Sequence, residues 1–427
     1  MRESVTARRG RAHRMTATLL ATGRTTWPEL VVVAGLLVAL AAVMLGPRIA
    51  HGSFSNDDWS YAVLAKYPGP GGALEAFEYL SFRPLMVLWF PATFGILGTG
   101  AGVNLALLAA TCVVEALLLY AVVRQLGAER VFAAALAALA LIMPLRDSTR
   151  VWVCMDANVA AVALWLGGTL VALAAFRRRG RHAAILHATA GLLWLASVAL
   201  YEIAAAAILA TAGLLVLREG RRALVPSGLQ AAAVGLFLAL VTSGTFYTPL
   251  RGRALVDHGV VVGKEAPRAL ADAVWAPGTP SRGAALVACL AIAFVLALGA
   301  VLVRRGSLSP GADEVVRRWL RLGLVAIVVV AAGWIMVVPS SFLSPMLQGQ
   351  FNRGNIVAGP GLVLLIIAAA VIASAVIADR RSRTALVAPA LALLVLAVVG
   401  AGYVTQLRRD VRTWNRASAE QRRIVAV

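Results

Sequence analysis

The chain has 427 residues, 60% of them hydrophobic and only 14% charged, against roughly 45–50% and about 25% in a soluble domain. A soluble fold is excluded, and runs of Ala, Val and Leu long enough to cross a hydrocarbon core of about 30 Å mark an all-α polytopic membrane protein. Forty Lys and Arg against twenty Asp and Glu leave a formal charge of +20, so the placement of the arginines decides between nucleic-acid binding and membrane topology.

Arg2, Arg8, Arg9, Arg11, Arg14 and Arg24 make residues 1–27 a basic segment on the cytoplasmic side. The apolar run from Glu29 to Ile49 has no Ala-x-Ala exit and exceeds the ~7–15 residues of a cleavable signal, so it reads as an uncleaved first span. Further apolar segments near 102–123, 131–145, 156–176, 183–200, 202–217, 223–245, 284–303, 322–339, 355–378 and 385–403 give about eleven transmembrane helices within a domain covering 28–403. The stretch 183–217 is divided in two near Tyr201-Glu202, because one helix of about 35 residues would reach roughly 52 Å. With the N-terminus inside, 23 of the 40 basic residues fall at cytoplasmic ends and six more in the tail 404–427, leaving eleven in the outer loops. That is the positive-inside pattern, and it accounts for the charge without a nucleic-acid partner. In the tail, Val404, Leu407, Val411 and Trp414 recur at helical spacing, which marks an amphipathic helix whose side of the membrane is left open.

Three outer segments exceed ordinary turns: 50–101, 246–283 and 340–354. Within the first, Arg83-Pro84-Leu85-Met86-Val87-Leu88-Trp89-Phe90 opens an apolar stretch of about 15 residues ending at Gly98. It is short for a span and reads as a helix lying in the interface.

Acidic residues are scarce, so their positions carry information. Asn56-Asp57-Asp58-Trp59-Ser60-Tyr61 stands just beyond the outer end of the first span. Its paired carboxylates suit a general base with a supporting acid or a metal ligand, and equally a helix N-cap. Arg83 sits where a lipid phosphate would lie and can bind its oxygens bidentately, or it can simply snorkel. Asp156 near the fourth span, Glu202 at the turn beside Tyr201, and Arg353 in Gln350-Phe351-Asn352-Arg353-Gly354-Asn355 fall on the same face. Glu115 differs, lying mid-helix where a carboxylate needs a partner or a proton. Cys112, Cys154 and Cys289 lack metal-ligand spacing and read as small buried residues.

The order of these motifs resembles the GT-C superfamily of membrane glycosyltransferases, in particular the protein O-mannosyltransferase and aminoarabinose transferase type. Asp57-Asp58-Trp59-Ser60-Tyr61 fits the Asp-Glu/Asp-x-x-Tyr motif that follows the first span in those enzymes. Arg83-Pro84-Leu85 with Trp89 fits their basic, proline-led interfacial helix, although relatives often have lysine and two prolines there. Asp156, Glu202, and Arg353 with Pro360 fall where the family has an acid, a charged turn and an Arg-led late motif. The resemblance covers roughly residues 28 to 380. It implies a multi-pass enzyme of a bacterial plasma membrane that moves a sugar from a polyprenyl-phosphate donor to a glycan, lipid or protein acceptor on the outer face. On that implication Asp57 and Asp58 are catalytic, Arg83 and Arg353 bind the donor phosphate, and Tyr61, Asp156 and Glu202 position substrate. The resemblance fixes no cofactor and leaves metal dependence open; a divalent cation such as Mg or Mn, if one is used, would be held by Asp57 and Asp58. A flippase or transporter for lipid-linked glycans and a non-catalytic GT-C-like subunit of an envelope assembly complex are the competing readings. The former expects key charges near the midplane, where Glu115 is the candidate. No inverted repeat of broken helices points to a secondary transporter.

Overall fold

The computed structural model describes residues 25–242, 250–275, 282–340, 345, 349–380 and 387–425. The six arginines of the basic N-terminal segment, and Arg381 and Arg383, lie outside the described residues. The described residues form helices and turns without a strand. In chain order the helices are α1 Trp27–His51, α2 Asp57–Lys66, α3 Gly72–Ala76, α4 Pro84–Leu97, α5 Ala101–Gln125, α6 Arg130–Ile142, α7 Ser148–Val151, α8 Asp156–Ala175, α9 Gly180–Leu200, α10 Ala205–Glu219, α11 Arg221–Thr242, α12 Gly252–Trp275, α13 Arg282–Arg304, α14 Pro310–Ile335, α15 Asn355–Arg380 and α16 Val387–Val425.

Eight of these segments are long and apolar enough to cross a membrane: α1, α5, 153–175 with α8, α9, α11, α13, α15 and α16. The protein is therefore a polytopic helical membrane protein. Three other segments expected to span are helices of different character. At about 1.5 Å per residue, the 13 residues of α6 reach ~20 Å and the 15 of α10 ~22 Å. The first half of α14 carries Asp313, Glu314, Arg317, Arg318 and Arg321. The junction expected at Tyr201-Glu202 falls between α9 and α10, where Glu202–Ala204 form a single 3-10 turn.

Small residues set the helix spacing, as expected where lipid is as apolar as the side chains and close van der Waals contact supplies the attraction. A Cβ on Gly333 would stand 2.6 Å from the Ala358 backbone nitrogen, and one on Gly361 3.0 Å from the Ala326 carbonyl oxygen. These glycines let α14 and α15 touch backbone to backbone. Gly168 makes room for Trp194, whose indole donates to the Trp165 carbonyl at 3.2 Å, while Ser197 Oγ donates to Ala161 at 2.7 Å. Together they lock α8 to α9.

Two ends of the bundle can be told apart. At the basic end Glu29 is bound by Arg124 and Arg130, both at 2.8 Å, and by the Tyr120 hydroxyl. Glu129 there receives Arg318 at 3.0 Å and the Trp319 indole at 2.9 Å. The other end carries the C-terminal ends of α1, α6, α9 and α14, and the residues that the family resemblance assigns to a site.

Three features depart from the sequence reading. The segment 246–283, expected as an outer loop, contains the 24-residue helix α12. The last span and the tail, expected as 385–403 and 404–427, are one continuous helix of 39 residues, α16, because no proline or glycine after Gly402 interrupts the helical pattern. The polar turn Arg146-Asp147-Ser148-Thr149-Arg150, between the segments read as spans at 131–145 and 156–176, is wholly buried.

Candidate functional site

The acidic loop begins where α1 ends. Arg48, 1% exposed, reaches out of α1 and donates to the Ser53 carbonyl at 3.0 Å, the Val151 carbonyl at 2.9 Å and Ser418 Oγ at 2.6 Å. Ser418 also receives the Ser53 N–H at 3.2 Å, and the Gln421 side-chain amide lies 3.0 Å from Ser53 Oγ. The Trp152 indole donates to the Ser55 carbonyl at 2.9 Å. Residues 53–55 are thereby pinned by the end of α1 and by two elements distant in sequence, the segment at Trp152 and α16. Asn56 follows with φ of 47°, a strained conformation that asparagine tolerates better than most residues, and it turns the chain so that Asp57 and Asp58 open α2.

The two carboxylates separate in role at once. Asp58 is 1% exposed and accepts the Ser55 N–H at 2.9 Å and the Cys154 N–H at 2.7 Å, one on each oxygen. Burial pushes this carboxyl up to about 7, although those backbone donors and Arg48 pull the other way. Asp57, one residue earlier, is exposed. Asp58 therefore ties the loop to the segment before α8, and Asp57 is the carboxylate that a solute can meet.

Tyr61, one helical turn beyond Asp57, is not displayed. Its ring stacks on Phe90 of α4 with centroids 4.3 Å apart and lies 6.0 Å from Phe77. It seats α2 on α4. The Tyr61 side chain, named above for positioning substrate, is a buried part of the aromatic packing, and burial raises its hydroxyl above its ordinary range.

Arg83 immediately precedes α4, with Pro84 in the first turn where its missing N–H costs nothing. The guanidinium grips Glu202 with two parallel bonds of 2.7 and 2.5 Å and lies 3.9 Å from the centre of the Tyr201 ring. Burial alone would raise the Glu202 carboxyl, but Arg83, with a smaller contribution from Arg353, holds it below the usual carboxylate range. Two residues expected to act separately are thus one ion pair joining α4 to the α9–α10 turn. Arg353, in the 3-10 turn Gly349–Gly354 before α15, sits with its guanidinium carbon 5.6 Å from the centre of the Trp152 ring. Asp156 is buried and accepts the Trp89 indole N–H at 3.1 Å, an anchor between α4 and α8 and not a group open to substrate.

Sequence reasoning missed the buried hub beneath this surface. Arg146 pairs with Glu115 at 2.5 Å and donates to the Ile356 carbonyl at 2.8 Å. Glu115 thereby receives the partner its mid-helix position demanded. Asp147 accepts from Asn352 and from the Trp414 indole at 3.0 Å, and Ser148 Oγ donates to Asn352 at 2.5 Å. Arg150 donates to the carbonyls of Ala140 and Leu141, which are orphan groups at the end of α6. The signal available in sequence was a basic residue at the wrong end of an apolar span: Arg48, Arg146 and Arg150 violate the positive-inside trend and need internal acceptors.

A divalent cation on Asp57 and Asp58, the possibility left open above, finds a poor fit in these groups. Both Asp58 oxygens are occupied by backbone N–H groups, and among the described residues no group of three or more His, Cys, Asp or Glu could hold a cation. Cys112 and Cys154 are buried free thiols and Cys289 is a partly buried one.

No protein-family model matches the chain, and no curated protein matches it.

Proposed function

We propose that the protein is a membrane glycosyltransferase of the GT-C type, with about eleven membrane passages, acting at the outer face of a plasma membrane on a polyprenyl-phosphate sugar. The observation that carries the reading is one end of the bundle, where an exposed carboxylate, Asp57, stands on a rigidly pinned loop. The same end gathers two guanidinium groups, Arg83 and Arg353, from elements far apart in sequence. A base beside a cationic patch is what transfer from a phosphate-linked donor requires.

In the proposed reaction the acceptor hydroxyl or amine attacks the anomeric carbon of the sugar. The bond from that carbon to the phosphate oxygen breaks with its electron pair on the phosphate. Asp57 takes the acceptor proton, and Arg83 with Arg353 neutralises the polyprenyl phosphate that leaves. Glu202 keeps the Arg83 fork planar and aimed until a phosphate competes for it. Asp58 holds the loop and takes no part in proton transfer. Glu115, the charge on which a transporter reading leans, is paired with Arg146, which favours a structural role for it.

The test is incubation of the purified protein with radiolabelled polyprenyl-phosphate sugars and envelope extracts. Labelled product that requires both is expected. Donor turnover absent across the panel, with the fold intact by circular dichroism, would reject the enzyme in favour of a scaffold.

A further inference from the structure

A cavity of about 540 Å³ opens among α5, α8, α10, α14 and α15, and nothing proposed above uses it. Its walls include the last turns of α5, the later half of α8 and the end of α10, all at the basic end of the bundle and away from Asp57 and Arg83. The few polar side chains within it are already satisfied: the Trp165 indole donates to Thr211 at 3.1 Å, Thr211 to the Ala207 carbonyl at 2.7 Å and Thr169 to the Trp165 carbonyl at 2.9 Å. The interior therefore offers hydrocarbon contacts and almost no free hydrogen-bonding group, which excludes a sugar or nucleotide and suits an alkyl chain.

The rim has the opposite chemistry. Arg218 and Arg321 both line the cavity. Arg218 rests on its neighbour Glu219 at 3.2 Å and is 40% exposed, and Arg321 is exposed with no ion-pair partner among the described residues. Beside them Leu217, 81% exposed, and Leu324, 56% exposed, present an apolar edge to the bilayer. An apolar bore with guanidinium groups at one mouth is complementary to one class of membrane component, a lipid with a phosphate head and an alkyl tail. The cationic mouth lies at the basic end, so the head belongs to the leaflet on that side and not to the leaflet facing Asp57. We propose that this cavity is a binding site for an anionic glycerophospholipid of the leaflet at the basic end, with its phosphate at Arg218 and Arg321 and one acyl chain between α8 and α14.

The experiment uses the full chain in nanodiscs with phosphatidylglycerol and phosphatidylcholine probes that carry a photoreactive group on one acyl chain, the labelled peptides being mapped by mass spectrometry. Phosphatidylglycerol is expected to label residues 162–173 and 322–329 roughly tenfold or more above phosphatidylcholine, because both lipids bring a phosphate but the choline ammonium cancels its charge and is repelled by the two guanidinium groups. The double variant Arg218→Gln/Arg321→Gln, both exposed and so neutral for folding, should erase that preference. Leu166→Trp, which fills the bore, should lower labelling by both probes, with thermal unfolding as the check on its fold. Equal labelling by the two lipids, or an unchanged preference in the double variant, overturns the proposal. So does stronger labelling of the same walls by a polyprenyl-phosphate probe, which would assign the cavity to the tail of a donor.

Discussion

Adjacent carboxylates at positions 57 and 58 have opposite environments, and the difference can be tested one residue at a time. Asp57→Asn keeps the volume and still hydrogen-bonds but takes no proton, so sugar transfer should fall by ~10² to 10⁴-fold with donor binding little changed. Wild-type transfer by this variant, with donor and acceptor in hand, would reduce the acidic pair to a helix start. Asp58→Asn acts on the fold instead. An amide in that position accepts one backbone N–H and turns its own NH₂ toward the other, which should cost about 1–3 kcal/mol in detergent unfolding. The same substitution has a pH signature. Burial raises the folded-state carboxyl to about 7 from an ordinary 3.8, so between those values the folded state binds more protons than the unfolded one. The contribution of Asp58 is therefore fully present below about pH 4 and is lost as pH rises toward 7. The difference in stability between wild type and Asp58→Asn should widen as pH falls across that window, and a difference that is flat from pH 4 to 7.5 would show that the carboxylate stays ionised throughout.

At the scale of the element, the informative case is α16. A helix of 39 residues extends about 58 Å, well past one bilayer core, and its far turns hold Arg48, Ser53 and Asp147 through Ser418, Gln421 and Trp414. The apolar stripe of Val404, Leu407, Val411 and Trp414 was legible as amphipathic. The docking partners were not, because they are Asp147, 267 residues earlier, and Arg48 and Ser53, 365 to 370 residues earlier. Ser418→Ala strips one acceptor from Arg48 and from the Ser53 N–H, and should cost about 1–3 kcal/mol and expose residues 52–60 to limited proteolysis. Truncation after Tyr403 should do so more severely. A truncated chain with an unchanged protease pattern would show that the loop stands without α16.

The whole molecule makes a topological prediction. The end bearing Asp57, Arg83 and the tail should face outward and the end bearing Arg218 and Arg318 inward. Ala417→Cys, at an exposed position on α16, should react with a membrane-impermeant maleimide in intact cells. Gly220→Cys, in the turn after α10 where a positive φ of 63° makes any side chain strained but leaves it exposed, should react only after permeabilisation. Labelling of both in intact cells, or of neither, would refute the orientation, and labelling of Gly220→Cys alone would invert it.

What the chain determined by itself was what depends on local composition: helices from apolar runs, an expected sidedness from arginine placement, and the candidate acidic and basic residues that the fold gathers at one end. Those signals are short-range, since bilayer insertion asks only that each segment be apolar enough and each flank suitably charged. The tertiary structure alone decided which of those charges are available. Arg83 turned out to be clasped by Glu202, Asp156 to be held by Trp89, Tyr61 to be buried on Phe90, and the polar run 146–150 to be the interior of the protein. Each of those outcomes is a pairing between residues tens to hundreds apart. In a low-dielectric interior an unpaired charge is too costly to keep, so every such group must find a partner, and which partner it finds is a property of the packing and not of its neighbours in the chain.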